Sequence, residues 1–347
     1  MATYSGKQFK VALGLHTSNL GIATVGGTMY YLRLDSISDI DFSGADVNAQ
    51  LQRSGQRVLR PSDHITSVTS TNTGGGSWAW SFDNYVPENE ALFQAMLTSI
   101  FENASTDGTE ALTGSQSTNS YDYNVSNAYD LALQILSPDV DKGRYLYSAV
   151  MNSMTFSWDV GTNGGKLTTS GEMFSGYRPV IYDNSGITIN STAVASGGWN
   201  QNIFEMDAIT IGGVTVVCKS FNLTVSNPAV RVGHKSITEA SPGSTSAIFG
   251  QPESYSRGNQ ITVEGSMVVK MDDGTVGLVD NWLRGTTTAI VFGDHATIGS
   301  ATCHLGIPTA KITGYNKDYA GEDGVWIEVP FIGTADGTDS ILDYRIT

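Results

Sequence analysis

Apolar and polar residues alternate in short runs along this chain, the pattern of strands that bury one face and wet the other. In residues 31–42, Leu32, Leu34, Ile40 and Phe42 fall on one side and Arg33, Asp35, Asp39 and Asp41 on the other, which predicts a strand with one wet face. Trp78, Trp80 and Phe82 alternate with Ser77, Ala79 and Ser81, predicting a strand that offers aromatic bulk to a core. Residues 216–226 repeat the first pattern, with Val217, Phe221, Leu223 and Val225 inward and Ser220, Asn222, Thr224 and Ser226 outward. Two stretches change period. After Pro87, suited to a first helical turn, Leu92, Met96 and Ile100 recur every four residues and predict an amphipathic helix. Val276, Val279, Trp282 and Leu283 predict a shorter helix that stops at Gly285.

Laid end to end, these elements spell one plan twice: strand, long polar stretch, strand, helix, strand pair. The first copy uses residues 31–42, 77–82, the helix from 87, 154–160 and 166–176. The second uses 216–226, 261–269, the helix from 273, 310–315 and 325–333. The expected fold is therefore mainly β, with two tandem β-sandwich domains, each with a flanking short α-helix and a long inter-strand loop. The expected boundaries are an N-terminal arm at 1–29, a first domain at 30–180 with a polar insertion at 103–127, a linker at 181–214, a second domain at 215–334 and a C-terminal arm at 335–347. Ile341 and Leu342 suggest that the last segment docks.

The long stretches, 44–76 and 228–258, exceed ordinary connections and point to function. The first carries Arg53, Arg57 and Arg60, the second Arg231, His234 and Lys235. Basic residues gathered in corresponding loops of an acidic chain suggest contact with an acidic surface; a merely solvated loop is the alternative.

Composition narrows the function by exclusion. A net charge of −15 argues against a protein that grips nucleic-acid backbone, although not against one that must let DNA pass without sticking. Two cysteines, Cys218 and Cys303, make no disulfide framework and read as free buried thiols. No apolar run suits a signal peptide or a membrane span, so the expectation is a protein kept inside the cell that makes it, without a membrane anchor.

Catalytic and metal-binding motifs are not found. The five histidines are scattered, and His295, Cys303 and His304 fall short of a closed zinc site. Residues 161–167, GTNGGKL, lack the spacing and the Ser or Thr of a phosphate-binding loop and predict a hairpin turn. Asp39 with Asp41 would be two hydrated acids on a wet strand face. Neither an enzyme nor a cofactor is expected.

The repeated order, with segments such as GSWAWSFDNYVPENEALFQAMLTSIFE and ITVEGSMVVKMDDGTVGLVDNWLRG, resembles the tail tube proteins (major tail proteins) of long-tailed bacteriophages, in the version whose tube domain is duplicated within one chain. The resemblance implies a structural virion protein, assembled in the host bacterial cytoplasm, whose subunits join edge to edge into rings that stack as a hollow tail tube conducting double-stranded DNA. A chain holding two tube domains implies trimeric, pseudo-hexameric rings. Its implied partners are itself, the tape measure, tail terminator and distal tail proteins, and genome DNA passing unbound through the lumen. By the same resemblance Asp35, Asp39, Asp41, Asn222, Thr224 and Ser226 are lumen candidates, and Arg53, Arg57, Arg60, Arg231, His234 and Lys235 inter-ring candidates. A β-sandwich carbohydrate-binding or adhesin module is the other expectation, and needs several of Trp78, Trp80, Trp158 and Trp199 to be exposed. A hydrolase with acids in a cleft between the halves is a third.

Overall fold

A computed structural model describes residues 9–16, 29–32, 34–43, 47–48, 64–65, 77–86, 90–101, 130–136, 143–162, 167–177, 179–181, 209–232, 235–238, 247–251, 254–257, 260–272, 275, 277–298, 301–318, 324–334 and 341–346. The first half holds β1 (Lys10–Leu15), β2 (Met29–Leu32), β3 (Asp41–Ser43), β4 (Val47–Asn48), β5 (His64–Ile65), β6 (Ser77–Tyr85), β7 (Leu131–Leu136), β8 (Arg144–Asp159), β9 (Thr168–Ser175) and β10 (Val180–Ile181), with helix α1 (Glu90–Phe101) after β6. The second half holds β11 (Thr210–Ile211), β12 (Val214–Thr215), β13 (Cys218–Ser226), β14 (Val230–Val232), β15 (Lys235–Thr238), β16 (Ala247–Gln251), β17 (Ser254–Ser256) and β18 (Thr262–Lys270). Helix α2 (Gly277–Arg284) follows, then β19 (Thr287–Ile298), β20 (Ala301–Ile312), β21 (Asn316–Asp318), β22 (Trp326–Gly333) and β23 (Asp343–Ile346).

Antiparallel ladders join the first half in the order β2–β1–β7–β8–β9–β6–β3. The second half has the same order in β12–β11–β19–β20–β22–β18–β13. Each ribbon turns over through one long strand. β8 pairs with β7 as far as Ala149 and with β9 from Val150, and Ser148 at the bend has φ 48°. β20 likewise pairs with β19 through Lys311 and with β22 from Ala310. Apolar side chains of the folded ribbons meet in one core that runs through both halves, with Phe292 of β19 packed between Phe221 and Phe331 at ring distances of 4.6 and 5.7 Å.

The halves share a sheet. Ser153–Asp159 of β8 pairs with Ser220–Ser226 of β13, so β3–β6–β9–β8–β13–β18–β22 is continuous across both. Beyond β22 the end of β20 and β21 together supply one more strand.

The aromatic strand is β6, with Trp78, Trp80 and Phe82 all buried. α1 buries Leu92, Met96 and Ile100, worth roughly 1.5–3 kcal/mol each if fully exposed on unfolding. α2 stops at Gly285, whose φ of 64° suits glycine. The Thr286 N–H donates to the Asn281 carbonyl and the Gly285 N–H to Trp282, closing a Schellman cap.

Several expectations need correction. Residues 31–42 are not one strand: pairing stops at Leu32 and resumes at Asp41. Between them Ser38 Oγ donates to the Ser81 carbonyl at 2.7 Å, the Trp80 indole donates to the Ser38 carbonyl at 3.0 Å, and Asp39 accepts from the Ile40 N–H. These local bonds replace the ladder. Residues 10–15, expected in a terminal arm, form β1 between β2 and β7 with Val11, Ala12 and Leu13 buried. Residues 210–215, expected in the linker, form the β11–β12 hairpin. The long stretches carry ladders of their own, β4–β5 in the first and β14–β17 with β15–β16 in the second. The C-terminal segment docks, with Ile341 and Leu342 buried and β23 paired to β20. Residues 103–127 lie outside the described residues.

Candidate functional site

Register fixes what the shared sheet presents to solvent. Trp158, Phe221 and Met267 alternate inward to the core, so their neighbours line up outward in rows across the strands. One row runs Ser81, Glu172, Ser153, Ser226, Thr262. The next runs Ser170, Thr155, Thr224, Glu264, Ile332, Lys311, and a third Thr168, Ser157, Asn222, Ser266, Pro330. Short hydroxyl and amide side chains dominate, and Glu172, Glu264 and Glu328 stand exposed among them. At the seam between halves, the Thr155 and Thr224 hydroxyls lie 3.0 Å apart in hydrogen-bond contact. Asp41, opposite Ala79, continues the polar face on β3.

A cavity of about 310 Å³ opens on this face at the seam, lined by Ser157, Asp159, Ser220, Asn222 and Ser266 over Trp158 and Phe221. Asp159 is already engaged: one carboxylate oxygen accepts from the Gly161 N–H at 2.7 Å and from Thr162 Oγ1 at 3.2 Å. It holds the turn after β8. Among the described residues no cluster of three His, Cys, Asp or Glu could hold a metal. Cys218 is a free thiol, pushed up to about 12 by burial and therefore protonated and inert at neutral pH.

Both ends of the sheet are open. Among the described residues β3 pairs only with β6, and the stretch from Ile312 to Asp318 pairs with β22 along one edge while its other edge, beyond the end of the β19 ladder at Lys311, takes no described strand. This is the kind of exposed ladder that proteins cover or complete.

A second junction lies where the root of 228–258 enters the first half. The Tyr255 hydroxyl is fully buried, accepts from the Gly176 N–H and donates to the Ser148 carbonyl, both at 2.8 Å. Burial, then the neighbouring Tyr177, hold its hydroxyl well above the ordinary phenol range. Arg257, also buried, donates to the carbonyls of Asn227 and Ser99, and the Asn227 amide donates to the Ile100 carbonyl at 2.7 Å. The last turn of α1 has no basic residue of its own, so these donors from the second half cap it.

The structure brings Asp41, Asn222, Thr224 and Ser226 onto one face; Asp35 and Asp39 are exposed in the segment before β3. Arg231 is half-buried on β14 beside Tyr255 and Tyr177, its pKa lowered by burial, and Lys235 is on β15. Arg53, Arg57, Arg60 and His234 lie outside the described residues. Sequence reasoning missed Tyr255, Arg257 and the buried His16–Asp130 pair, 2.7 Å apart. None of them belongs to a periodic run, and each finds its partner far away in sequence. Of the four tryptophans on which a carbohydrate-binding surface would depend, Trp78, Trp80 and Trp158 are buried and Trp199 is outside the described residues.

No curated protein sequence matches the chain. A family model described as phage tail tube protein matches residues 15–333, nearly all of the two repeated ribbons and the sheet they share. With a strand order written twice, a continuous polar face and that match over most of its length, the chain belongs to the phage tail tube protein family.

Proposed function

We propose that this structural tail protein builds the tube wall as two tandem tube domains, three chains closing into a pseudo-hexameric ring around a bore that conducts double-stranded DNA. The observation that carries this reading is the sheet shared by both halves, polar on one face, apolar on the other and open at both edges. The β8–β13 ladder is the template for closure. In the repeated strand order β13 corresponds to β3, and β8 to β20 with β21, so the open stretch from Ile312 to Asp318 takes β3 of the next chain. Eight strands from each of three chains, at ~4.8 Å spacing and ~40° tilt, give a cylinder about 45–50 Å across between backbones.

The rows containing Asp41, Asn222, Thr224 and Ser226 then face the bore. Duplex DNA carries a charge about every 1.7 Å of axis, and salt confines repulsion from Glu172, Glu264 and Glu328 to within roughly 10 Å of the wall. A wall of short hydroxyls and acids gives phosphate little to hold, so the genome slides. The loops 44–76 and 228–258 reach the adjacent ring, and the tape measure, tail terminator and distal tail proteins complete the assembly, which forms in the host cytoplasm. Electron microscopy of concentrated protein tests the reading: rings with threefold symmetry, stacked as tubes, are expected. A strictly monomeric species at high concentration would refute it.

A further inference from the structure

Inside the chain, the second half covers part of the first. Tyr255 of β17 packs on Phe174 and Tyr177 at ring distances of 5.4 and 6.2 Å, and Asn227 and Arg257, at the two roots of the β14–β17 ladder, donate to the carbonyls of Ile100 and Ser99 in α1. The first half is sealed accordingly. Every residue of α1 from Ala95 to Phe101 is buried, and β7 is buried on both faces from Leu131 to Ile135.

The second half repeats these elements without the cover. In the repeated order α2 takes the place of α1 and β19 that of β7. Among the described side chains of α2 only Leu278 is buried, while Trp282 and Leu283 stand 39 and 70 % exposed. Thr287 and Ala289 of β19 are exposed as well, beside Ile290 in the core. α2 closes its own C-terminus through Gly285 and Thr286, so the site lacks apolar cover and not hydrogen-bond donors.

The repeat also shows which segment supplies the cover. Val47 follows the end of β3 at the interval at which Val230 follows the end of β13, and each opens a short antiparallel ladder, β4–β5 and β14–β17. His64 stands opposite Asn48 as Tyr255 stands opposite Arg231. β4–β5 is thus the first-half counterpart of the ladder that covers α1. It cannot reach α2 of its own chain in the same way, because α2 packs on β20 at one edge of the shared sheet and β3 is the other edge. Resting on the ring reading above, we infer that the β4–β5 ladder of a second copy in the same ring seats on α2, with Trp282 and Leu283 at the centre of the contact. The seam inside the chain is held by hydrogen bonds from Tyr255 and Arg257; the seam between chains is held by an indole, a residue type in which interface energy concentrates. The same two surfaces meet at all three seams, a heterologous contact that closes.

The test is the double substitution Trp282→Ala with Leu283→Glu, at exposed positions outside the shared sheet. The circular dichroism spectrum of dilute protein should match the wild type, while the concentration at which rings appear in mass photometry rises at least tenfold. Rings at the wild-type concentration would overturn the seat and leave the tube reading standing. If the double variant unfolds, Leu283→Glu alone is read in the same way, with a rise of about threefold expected and no rise overturning it. Val47→Cys with Leu283→Cys identifies the occupant, with each single variant as the control. Mild oxidation of assembled rings should link chains into covalent dimers and trimers, whereas links confined to single chains, or none beyond the controls, would show that another surface covers α2. Wild-type protein that forms no rings would defeat the tube reading itself, and the seat with it.

Discussion

Phe82 lies opposite Gly171 across β6 and β9, and Gly265 lies opposite Phe331 across β18 and β22. These strand pairs correspond in the two halves, yet ring and glycine have exchanged strands. A Cβ on Gly171 would stand 2.7 Å from the Phe82 ring, and one on Gly265 would collide with the Asn222 carbonyl and stand 2.8 Å from Phe331. The ring covers the gap that each glycine leaves. A glycine inside a strand signals a close approach, but the ring that approaches it depends on register, which neither strand specifies alone. His16 and Asp130 are a similar case, buried together at the end of the β1–β7 ladder although 114 positions apart in sequence. Burial, only partly offset by His16, raises the Asp130 carboxyl above its ordinary value. The raised value means that its contribution to stability is full below pH ~4 and is lost as pH rises through the folded-state value. Asp130→Asn removes that loss, so its thermal midpoint relative to the wild type should climb as pH goes from ~4 to neutrality. A difference independent of pH would contradict this account.

At the scale of elements, legibility followed burial. β6, β13, β18 and β22 have one wet face, and their alternation marks them plainly in the sequence. β7 was missed because Leu131–Ile135 is buried on both faces, one toward the main core and one toward the aromatic cluster around Tyr147 and Tyr255. Such a strand has no period of two. β1, with the same surroundings, showed only a short apolar run. The helices differ in how they end. α2 stops with its own glycine and Arg284, a signal local enough to read. α1 ends on Arg257 and Asn227, well over a hundred residues away, and nothing near Phe101 announces them. Arg257→Ala should therefore cost about 2–3 kcal/mol in urea unfolding, because buried carbonyls at Ser99 and Asn227 lose a charged donor. A loss under about 0.5 kcal/mol, the size expected of an ordinary surface change, would show that the cap contributes little.

For the whole molecule, the doubled strand order was readable as order alone, while the sheet that joins the halves was not. Pairing of β8 with β13 is a contact between elements about 70 residues apart, and each strand by itself is compatible with either a neighbour or an open edge. In the tube we propose that contact matters, since it brings the rows of Glu172 and Glu264 onto one face. Glu172→Lys with Glu264→Lys should leave tubes intact but slow genome release from assembled tails, most strongly at low salt, where phosphate attraction is least screened. Ejection at the wild-type rate at every ionic strength would mean that this face does not meet DNA. The β8–β13 ladder has a mechanical consequence as well. In the ring we propose, half of the seams between tube domains lie inside a chain, reinforced by the Tyr255 and Arg257 anchors that also join the two halves. Hoop stress from a pressurised genome then concentrates on the three seams between chains, and rupture should begin there.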